Sequence, residues 1–170
     1  MTTIDLASLR LRPGEVRRHR LEVALDPFVL GGQRYELVPH PTSVELEISD
    51  ASGGLVFTLA LEATLSGPCM RCLGHAEVPL RASAREFHDP SAPRADELHS
   101  DYVVDDRLDV SGWARDLVAL ELPEQIVCHE DCAGLCPVCG KDLNVEPHEH
   151  EEEHTDPRWA VLAELRDKLE

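Results

Sequence analysis

The chain has 170 residues and a net charge of −17, which comes from 33 acidic and 16 basic side chains. This length suits one domain, or one domain with a small appendage, that buries roughly 70% of the surface its unfolded form exposes. General nucleic-acid binding requires basic side chains that neutralise phosphates, and a chain with this negative charge would repel the phosphates instead. The same charge would attract a basic protein as partner. The local exception is a basic stretch between Arg10 and Arg20, which we interpret as the solvated face of a strand or loop.

The composition of the first residues bears on the cellular compartment that we expect. The first ten residues contain no apolar segment typical of a secretory signal, and no run approaches about 18 apolar residues. We therefore expect a cytoplasmic protein that does not enter a membrane. Cytoplasmic thiols stay reduced, so the six cysteines favour metal binding over three disulfides.

Alternating polar and apolar residues predict a sheet over residues 17–88. The clearest alternation places Val44, Leu46 and Ile48 on one face of a strand, and residues 50–54 then form a turn. Strands are predicted at residues 17–25, 35–39, 43–49, 55–65 and 76–87. Because short turns join them, we expect a mainly antiparallel sheet or open barrel, with Cys69 and Cys72 in the turn between its last two long strands.

The region after the sheet predicts an acidic loop and then an amphipathic helix. Residues 89–106 mix proline, alanine and acidic side chains and predict an exposed loop, whereas residues 108–122 predict a helix that ends before Pro123. Asp109 or Ser111 caps this helix. One helix face is apolar and should pack on the sheet, with Val110, Trp113, Ala114, Leu117 and Val118. The sequence thus predicts an α+β domain over residues 1–122.

The remaining residues predict a zinc-binding segment at 123–154 and a C-terminal helix at 155–170. The helix begins at Thr155-Asp156-Pro157. Cys136-Pro137-Val138-Cys139-Gly140 has the form of a zinc knuckle, because Gly140 permits a positive φ that turns backbone N–H groups toward the sulfurs. Cys69-Met70-Arg71-Cys72 lacks such a glycine and is the weaker signal.

Eight side chains are candidate metal ligands, enough for one or two zinc ions. They share the thiolate and imidazole chemistry that zinc prefers. They are Cys69, Cys72, Cys128, Cys132, Cys136, Cys139, His148 and His150.

Three arrangements of these ligands remain open from spacing alone. In the first, Cys69 and Cys72 join Cys128 and Cys132, and the other four residues form a compact second site. In the second, the two C-x2-C pairs form one site, and Cys128 and Cys132 are free or completed by histidines. The third is a single four-cysteine site within residues 128–139. His129 is expected to be exposed or beside a ligand, and ligation by His154 is disfavoured.

The ligand types favour a structural site over catalysis. Thiolate-rich sets usually close the coordination sphere, whereas a catalytic zinc keeps an open position in a histidine-rich shell. The reactive cysteine of a redox dithiol typically lies at a helix N-terminus, which lowers its pKa, but Cys69 follows a predicted strand. We therefore expect no enzymatic activity.

Several segments resemble the YceD family, which is linked to accumulation of large-subunit ribosomal RNA. The most specific is Cys-His-Glu-Asp-Cys-Ala-Gly-Leu-Cys-Pro-Val-Cys-Gly at residues 128–140. Shorter matches include Cys-Met-Arg-Cys-Leu at 69–73, Leu-Glu-Leu-Pro at 120–123, Leu-Asn at 143–144 and Asp-Pro-Arg at 156–158. His148-x-His150 stands where some relatives carry a C-x-C pair.

The resemblance implies a non-enzymatic factor in assembly or stability of the large ribosomal subunit. The acidic charge favours a ribosomal protein or pre-ribosomal particle as partner, although Arg71 and the N-terminal arginines leave local RNA contact open. The competing hypotheses are a direct RNA-binding zinc module and a thiol-based redox or metal-sensing protein.

Overall fold

The computed structural model describes residues 1–12, 14–51, 53–93 and 98–150. Over these residues it is a mainly antiparallel β structure with one short helix. The predicted helix at 155–170 and His154 lie outside the described residues. The elements, in chain order, are β1 (Thr3–Asp5), β2 (Val16–Val23), β3 (Phe28–Leu30), β4 (Gln33–Val38), β5 (Thr42–Ala51), β6 (Gly54–Pro68), β7 (His75–His88), β8 (Val103–Val104), β9 (Arg107–Asp109) and α1 (Val110–Leu120).

Strand β6 lies at the centre of the main sheet and pairs with three other strands. Strand β7 pairs with β6 along one edge, from Leu55↔His88 to Pro68↔His75. On the opposite edge, β5 pairs with the first half of β6 and β4 with the second half. Strand β2 lies outside β5 and β3 lies outside β4, and every pair is antiparallel. The long β6–β7 hairpin therefore ends at Pro68 and His75, with Cys69 and Cys72 in its turn, as predicted.

The predicted alternation of β5 determines which face of the sheet is buried. Val44, Leu46 and Ile48 are buried and pair with Leu61, Leu59 and Phe57 of β6, which are buried as well. Because side chains alternate along a strand, the intervening residues face outward.

The outward face carries ion pairs across the strands. Arg18 of β2 contacts Glu47, Arg20 contacts Glu45, and Arg81 of β7 contacts Glu62 at 3.4 Å. Arg18 and Arg20 of the basic stretch thus lie on an exposed strand face, where each contacts a glutamate.

A second, smaller sheet joins β1, β9 and β8. It corrects the prediction of an exposed loop over residues 89–106, because Ser100 and Val103 are buried and β8 pairs with β9. Asp105 and Asp106 form the two-residue turn of this hairpin, with φ of 50° and 56°, as a type I′ turn requires. The sequence analysis also missed β1 and β3, two strands of three residues each.

Helix α1 is shorter than the predicted 108–122. Leu108 belongs to β9, where pairing with Ile4 holds it extended, and Asp109 caps the helix by accepting a 3.0 Å hydrogen bond from the Gly112 backbone N–H. The buried face is the predicted one: Val110, Trp113, Ala114, Leu117 and Val118. The helix contacts both β2 and β7, which lie on opposite sides of the β5–β6 pair, and its buried residues belong to the same core as those of the sheet. Among the described residues, no helix is long and apolar enough to cross a membrane.

Candidate metal centres

The turn between β6 and β7 is a knuckle with defined backbone hydrogen bonds. The Cys69 N–H donates to the carbonyl oxygen of Gly74 at 2.6 Å, and the Leu73 N–H donates to that of Cys69 at 3.0 Å. Leu73 has φ of 60°. This left-handed conformation costs a non-glycine residue about 1–2 kcal/mol.

The segment Cys136–Lys141 repeats the same pattern. The Cys136 N–H donates to the Lys141 carbonyl oxygen at 2.8 Å, and the Gly140 N–H donates to the Cys136 carbonyl oxygen at 2.8 Å. Gly140 has φ of 72° and takes the place of Leu73. The two knuckles therefore have one geometry. The missing glycine made the first look weaker in sequence, but Leu73 adopts the conformation that glycine adopts more easily.

The first cluster consists of Cys69, Cys72, Cys128 and Cys132. Their four sulfur atoms all lie within 4.8 Å of one another. The Cys69 and Cys132 sulfurs are 3.8 Å apart, and those of Cys72 and Cys128 are 3.7 Å apart. Each knuckle sulfur thus faces one sulfur of the 128–132 segment, and the four could hold one metal ion.

Hydrogen bonds from the knuckle hold the 123–132 segment in place. The Met70 N–H donates to the carbonyl oxygen of Ile126 at 2.8 Å, and Ile126 is fully buried. The Arg71 guanidinium donates to the Cys132 carbonyl oxygen at 3.1 Å and to Gln125 Oε1 at 2.8 Å. The Arg71 side chain is exposed, as expected, but it is turned toward this segment and joins the two halves of the cluster.

The thiols of this cluster differ widely in pKa. Burial raises the pKa of the Cys69 thiol, but hydrogen bonds from the backbone N–H groups of Cys72, Arg71 and Cys128 outweigh it and lower the pKa to about 6. Burial and the neighbouring sulfurs raise the pKa of Cys128 to about 12. Without a cation, thiolate charge is therefore stable on one sulfur and unfavourable on another. A bound metal ion would remove this conflict by compensating all four charges.

The second cluster consists of Cys136, Cys139, His148 and His150, whose ligand atoms also lie within 4.8 Å of one another. The Cys139 sulfur is 3.1 Å from His148 Nε2. His148 Nδ1 is 2.7 Å from the Glu146 carbonyl oxygen, which it contacts as donor. This contact fixes the tautomer so that the Nε2 lone pair is directed at the cluster.

Hydrogen bonds also make a thiolate favourable in the second cluster. Backbone N–H groups of Cys139 and Val138 lower the pKa of the Cys136 thiol to about 6, against the opposing effect of burial. The backbone contact with Glu146 and the neighbouring Cys136 sulfur raise the pKa of His148. These residues could hold a second metal ion. The structure therefore groups the eight predicted ligands as the first of the three arrangements has them, and His129 is exposed outside both clusters.

Asn144 attaches the loop between Cys139 and His148 to the first cluster, a role that the sequence did not reveal. Its Nδ2 donates to the Cys132 sulfur at 3.5 Å, and its Oδ1 accepts from the Ala133 N–H at 2.8 Å. Its own backbone N–H donates to Asp142 Oδ1 at 2.9 Å. The Asp142-Leu143-Asn144 sequence is an Asx-turn signal that could have indicated an ordered loop at this point.

Comparison with known proteins identifies the family. The family described as Large ribosomal RNA subunit accumulation protein YceD matches residues 57–166. The chain belongs to the YceD family. The resemblance stated from the residues is therefore confirmed.

Relatives of this YceD-family chain occur in bacteria and plants. Uncharacterized protein Rv2926c of Mycobacterium tuberculosis is 33% identical over 171 residues, which cover 96% of this chain and 80% of that protein. Uncharacterized protein YlbN of Bacillus subtilis is 34% identical over 113 residues, covering 64% of this chain and 63% of that protein. Large ribosomal RNA subunit accumulation protein YCED homolog 1, chloroplastic, of Arabidopsis thaliana is 33% identical over 75 residues, covering 44% and 23%. No solved structure matches the chain.

The part of the chain that matches the YceD family contains both clusters, since Cys69 and His150 are their first and last members. It also contains most of β6 and all of β7 and α1. The knuckle between β6 and β7, the helix and the 123–150 segment thus all lie within the region that matches the family.

Proposed function

We propose that this protein is a non-enzymatic, zinc-stabilised cytoplasmic factor for accumulation and assembly of the large ribosomal subunit and its RNA, and that it acts through protein partners. Membership of the YceD family is the observation that carries this proposal. The geometry of the clusters and the charge of the surface support its two finer parts, the metal and the kind of partner.

Sulfur spacing supports zinc in the first cluster. Four sulfurs at about 2.3 Å from a tetrahedral zinc ion lie about 3.8 Å from one another. The Cys69–Cys132 and Cys72–Cys128 distances of 3.8 and 3.7 Å have this length. When bound, zinc would supply a closed structural crosslink, with Cys136, Cys139, His148 and His150 as the ligands of a second ion. Four protein ligands leave no open position for a substrate, which supports a structural role.

Surface charge supports a basic protein as partner. The net charge of −17 attracts a basic ribosomal protein over a distance of about one Debye length, roughly 8–10 Å in physiological salt. Three of the arginines that could bind RNA phosphates already contact groups of this chain: Arg18 and Arg20 contact glutamates, and the Arg71 guanidinium contacts the 125–132 segment. These contacts disfavour the competing hypothesis of a direct RNA-binding module.

A complementation experiment tests the ribosomal role. In a strain deleted for the gene, the wild-type chain and the variant His129→Ala should restore a normal ratio of large to small subunits in sucrose gradients. His129 is a matched control because it lies in the metal-binding segment but outside both clusters. Cys69→Ser with Cys72→Ser should fail to restore the ratio. A normal subunit profile in the deleted strain would contradict the proposal.

Two measurements separate the competing hypotheses. Pull-down from extract should recover the same basic partners with and without nuclease, whereas loss of all partners after nuclease would favour RNA binding. Thiol titration should show the cysteines protected until zinc is chelated. Thiols that react freely in the zinc-loaded protein would favour a redox function instead.

A further inference from the structure

The two clusters differ in how they are attached to the fold. In the first cluster, Cys69 and Cys132 are 0% and 3% exposed, and the knuckle that contains Cys69 closes a hairpin whose last pair is Pro68↔His75. Displacing a ligand there requires distortion of the long β6–β7 hairpin or separation of the 123–132 segment from the core.

The second cluster lies at the surface, and within the described part of the chain the hydrogen bonds of its segment are mainly internal. Cys139 and His150 are exposed, and only Cys136 is buried. The hydrogen bonds found for residues 145–148 join neighbours within residues 139–148: Val145 and Glu146 N–H groups donate to the Asp142 carbonyl oxygen, and Lys141 Nζ donates to Glu146. His148 contacts Glu146 and Cys139. Opening of residues 145–150 therefore leaves the sheet, the helix and the first cluster intact.

From this asymmetry we propose that the second cluster is an exchangeable, metal-responsive zinc site, while the first cluster keeps its ion. Ligand exchange begins with transient opening of a ligand, and opening is easiest where few buried contacts are lost. Exposed Cys139 and His150 admit a competing chelator to the second ion, whereas the first cluster has no exposed ligand: Cys69 and Cys132 are buried, and Cys72 and Cys128 are half-buried. Zinc availability then controls the conformation of residues 136–150 without unfolding the domain.

Through Asn144, the second site depends structurally on the first. Asn144 contacts the Cys132 sulfur and the Ala133 N–H, and the Leu143 N–H donates to the Gly134 carbonyl oxygen at 2.9 Å. The loop of the second site is thus built on the segment that the first site holds in place. The second site can empty and refill on this fixed platform.

This inference rests on the proposed function only in requiring that the protein binds zinc. The test uses the full chain loaded with two zinc ions and an excess of a chromogenic zinc chelator at neutral pH. We expect one ion to leave at least about tenfold faster than the other, because opening free energies differ between surface loops and core elements. The double variant His148→Ala with His150→Ala should lose the fast ion and keep the slow one, and His129→Ala should behave as wild type.

The number of ions bound and the phases of their release distinguish failure of the exchangeable site from failure of zinc binding. Release of both ions in one phase, or loss of the slow phase in the double histidine variant, would overturn the exchangeable site while leaving the zinc-stabilised factor standing. A wild-type chain that binds only one ion would do the same. A chain that binds no zinc would overturn both claims. Hydrogen exchange gives a second readout: after the fast ion leaves, the Gly140 amide should lose protection while the Leu73 amide keeps it.

Discussion

Arg71 provides a direct test of whether an exposed arginine beside the first cluster is a structural contact or an RNA contact. Its guanidinium donates to the Cys132 carbonyl oxygen in a half-buried hydrogen bond of 3.1 Å, and to Gln125 and Glu130 in two exposed ones of 2.8 and 3.4 Å. A charged donor contributes about 1.5 kcal/mol in the first case and about 0.5 kcal/mol in each exposed case. Arg71→Ala should therefore raise the free energy of the closed segment by about 2.5 kcal/mol.

Hydrogen exchange on the zinc-loaded protein measures this opening. The Leu135 N–H donates to the Arg71 carbonyl oxygen at 3.1 Å, so its exchange reports whether the segment has separated from the knuckle. A loss of 2.5 kcal/mol corresponds to about 70-fold faster exchange. Arg71→Lys should recover only part of the protection, because an ammonium group lacks the planar fork that reaches several acceptors. Arg85→Ala, at an exposed position on β7, is the control and should leave exchange unchanged.

The result that would refute this reasoning is unchanged exchange at Leu135 in Arg71→Ala. If the same variant also weakened RNA retention on filters, and Arg71→Lys restored it, then Arg71 would be a phosphate contact. A phosphate contact needs a positive charge more than a fixed geometry, so the lysine variant separates the two roles.

Three further substitutions have definite expected outcomes. The added methyl group of Gly140→Ala would meet open space, but alanine would have to adopt the positive φ of this position, at a cost of about 1 kcal/mol. Zinc competition should therefore show about fivefold weaker binding at the second cluster. Unchanged affinity would contradict the knuckle geometry. Asn144→Ala removes a hydrogen bond to the Cys132 sulfur and should lower zinc affinity at the first cluster by about tenfold in chelator competition, whereas unchanged affinity at the first cluster would contradict a role for this bond there. Gly67→Ala would place a methyl group 2.8 Å from Cε1 of fully buried Tyr35, and chemical denaturation should show a loss of about 1–3 kcal/mol; an unchanged midpoint would mean that the ring can move.

Local patterns predicted the parts of the fold that depend on one segment. Strict alternation identified the buried face of β5 through Val44, Leu46 and Ile48, since burial of one face is what such a pattern encodes. Spacing at three and four residues likewise identified the buried side of α1, including Trp113. The cysteine and histidine spacing identified the residues of both clusters but could not decide between three arrangements, because contact between residues 69–72 and 128–132 depends on tertiary structure.

The features that the sequence analysis missed depend on distant pairing or on strained backbone. Strand β1 exists because residues 3–5 pair with residues 107–109, more than 100 positions away, and this pairing also shortens the helix at its start. The Asp105-Asp106 turn and the Gly31-Gly32 turn are two-residue hairpin signals that could have revealed β8 and β3. Leu73 could not be found in this way, because a leucine at positive φ is uncommon and nothing in the sequence around it requires one.

The origin of the ligands explains why one chain would carry two zinc sites of different kinds. The sheet positions Cys69 and Cys72 before any metal binds, because the β6–β7 pairing continues to the ends of the knuckle. Folding of the sheet therefore orders two of the four ligands of the first site, and an ion has only to capture the 128–132 segment. All four ligands of the second site come from residues 136–150, so its ion must order a polar loop with little apolar burial to help. A zinc ion in the first site would thus gain affinity from the fold, whereas occupancy of the second site would depend on the concentration of zinc. We therefore expect the difference in exchange to persist in any variant that keeps the β6–β7 hairpin.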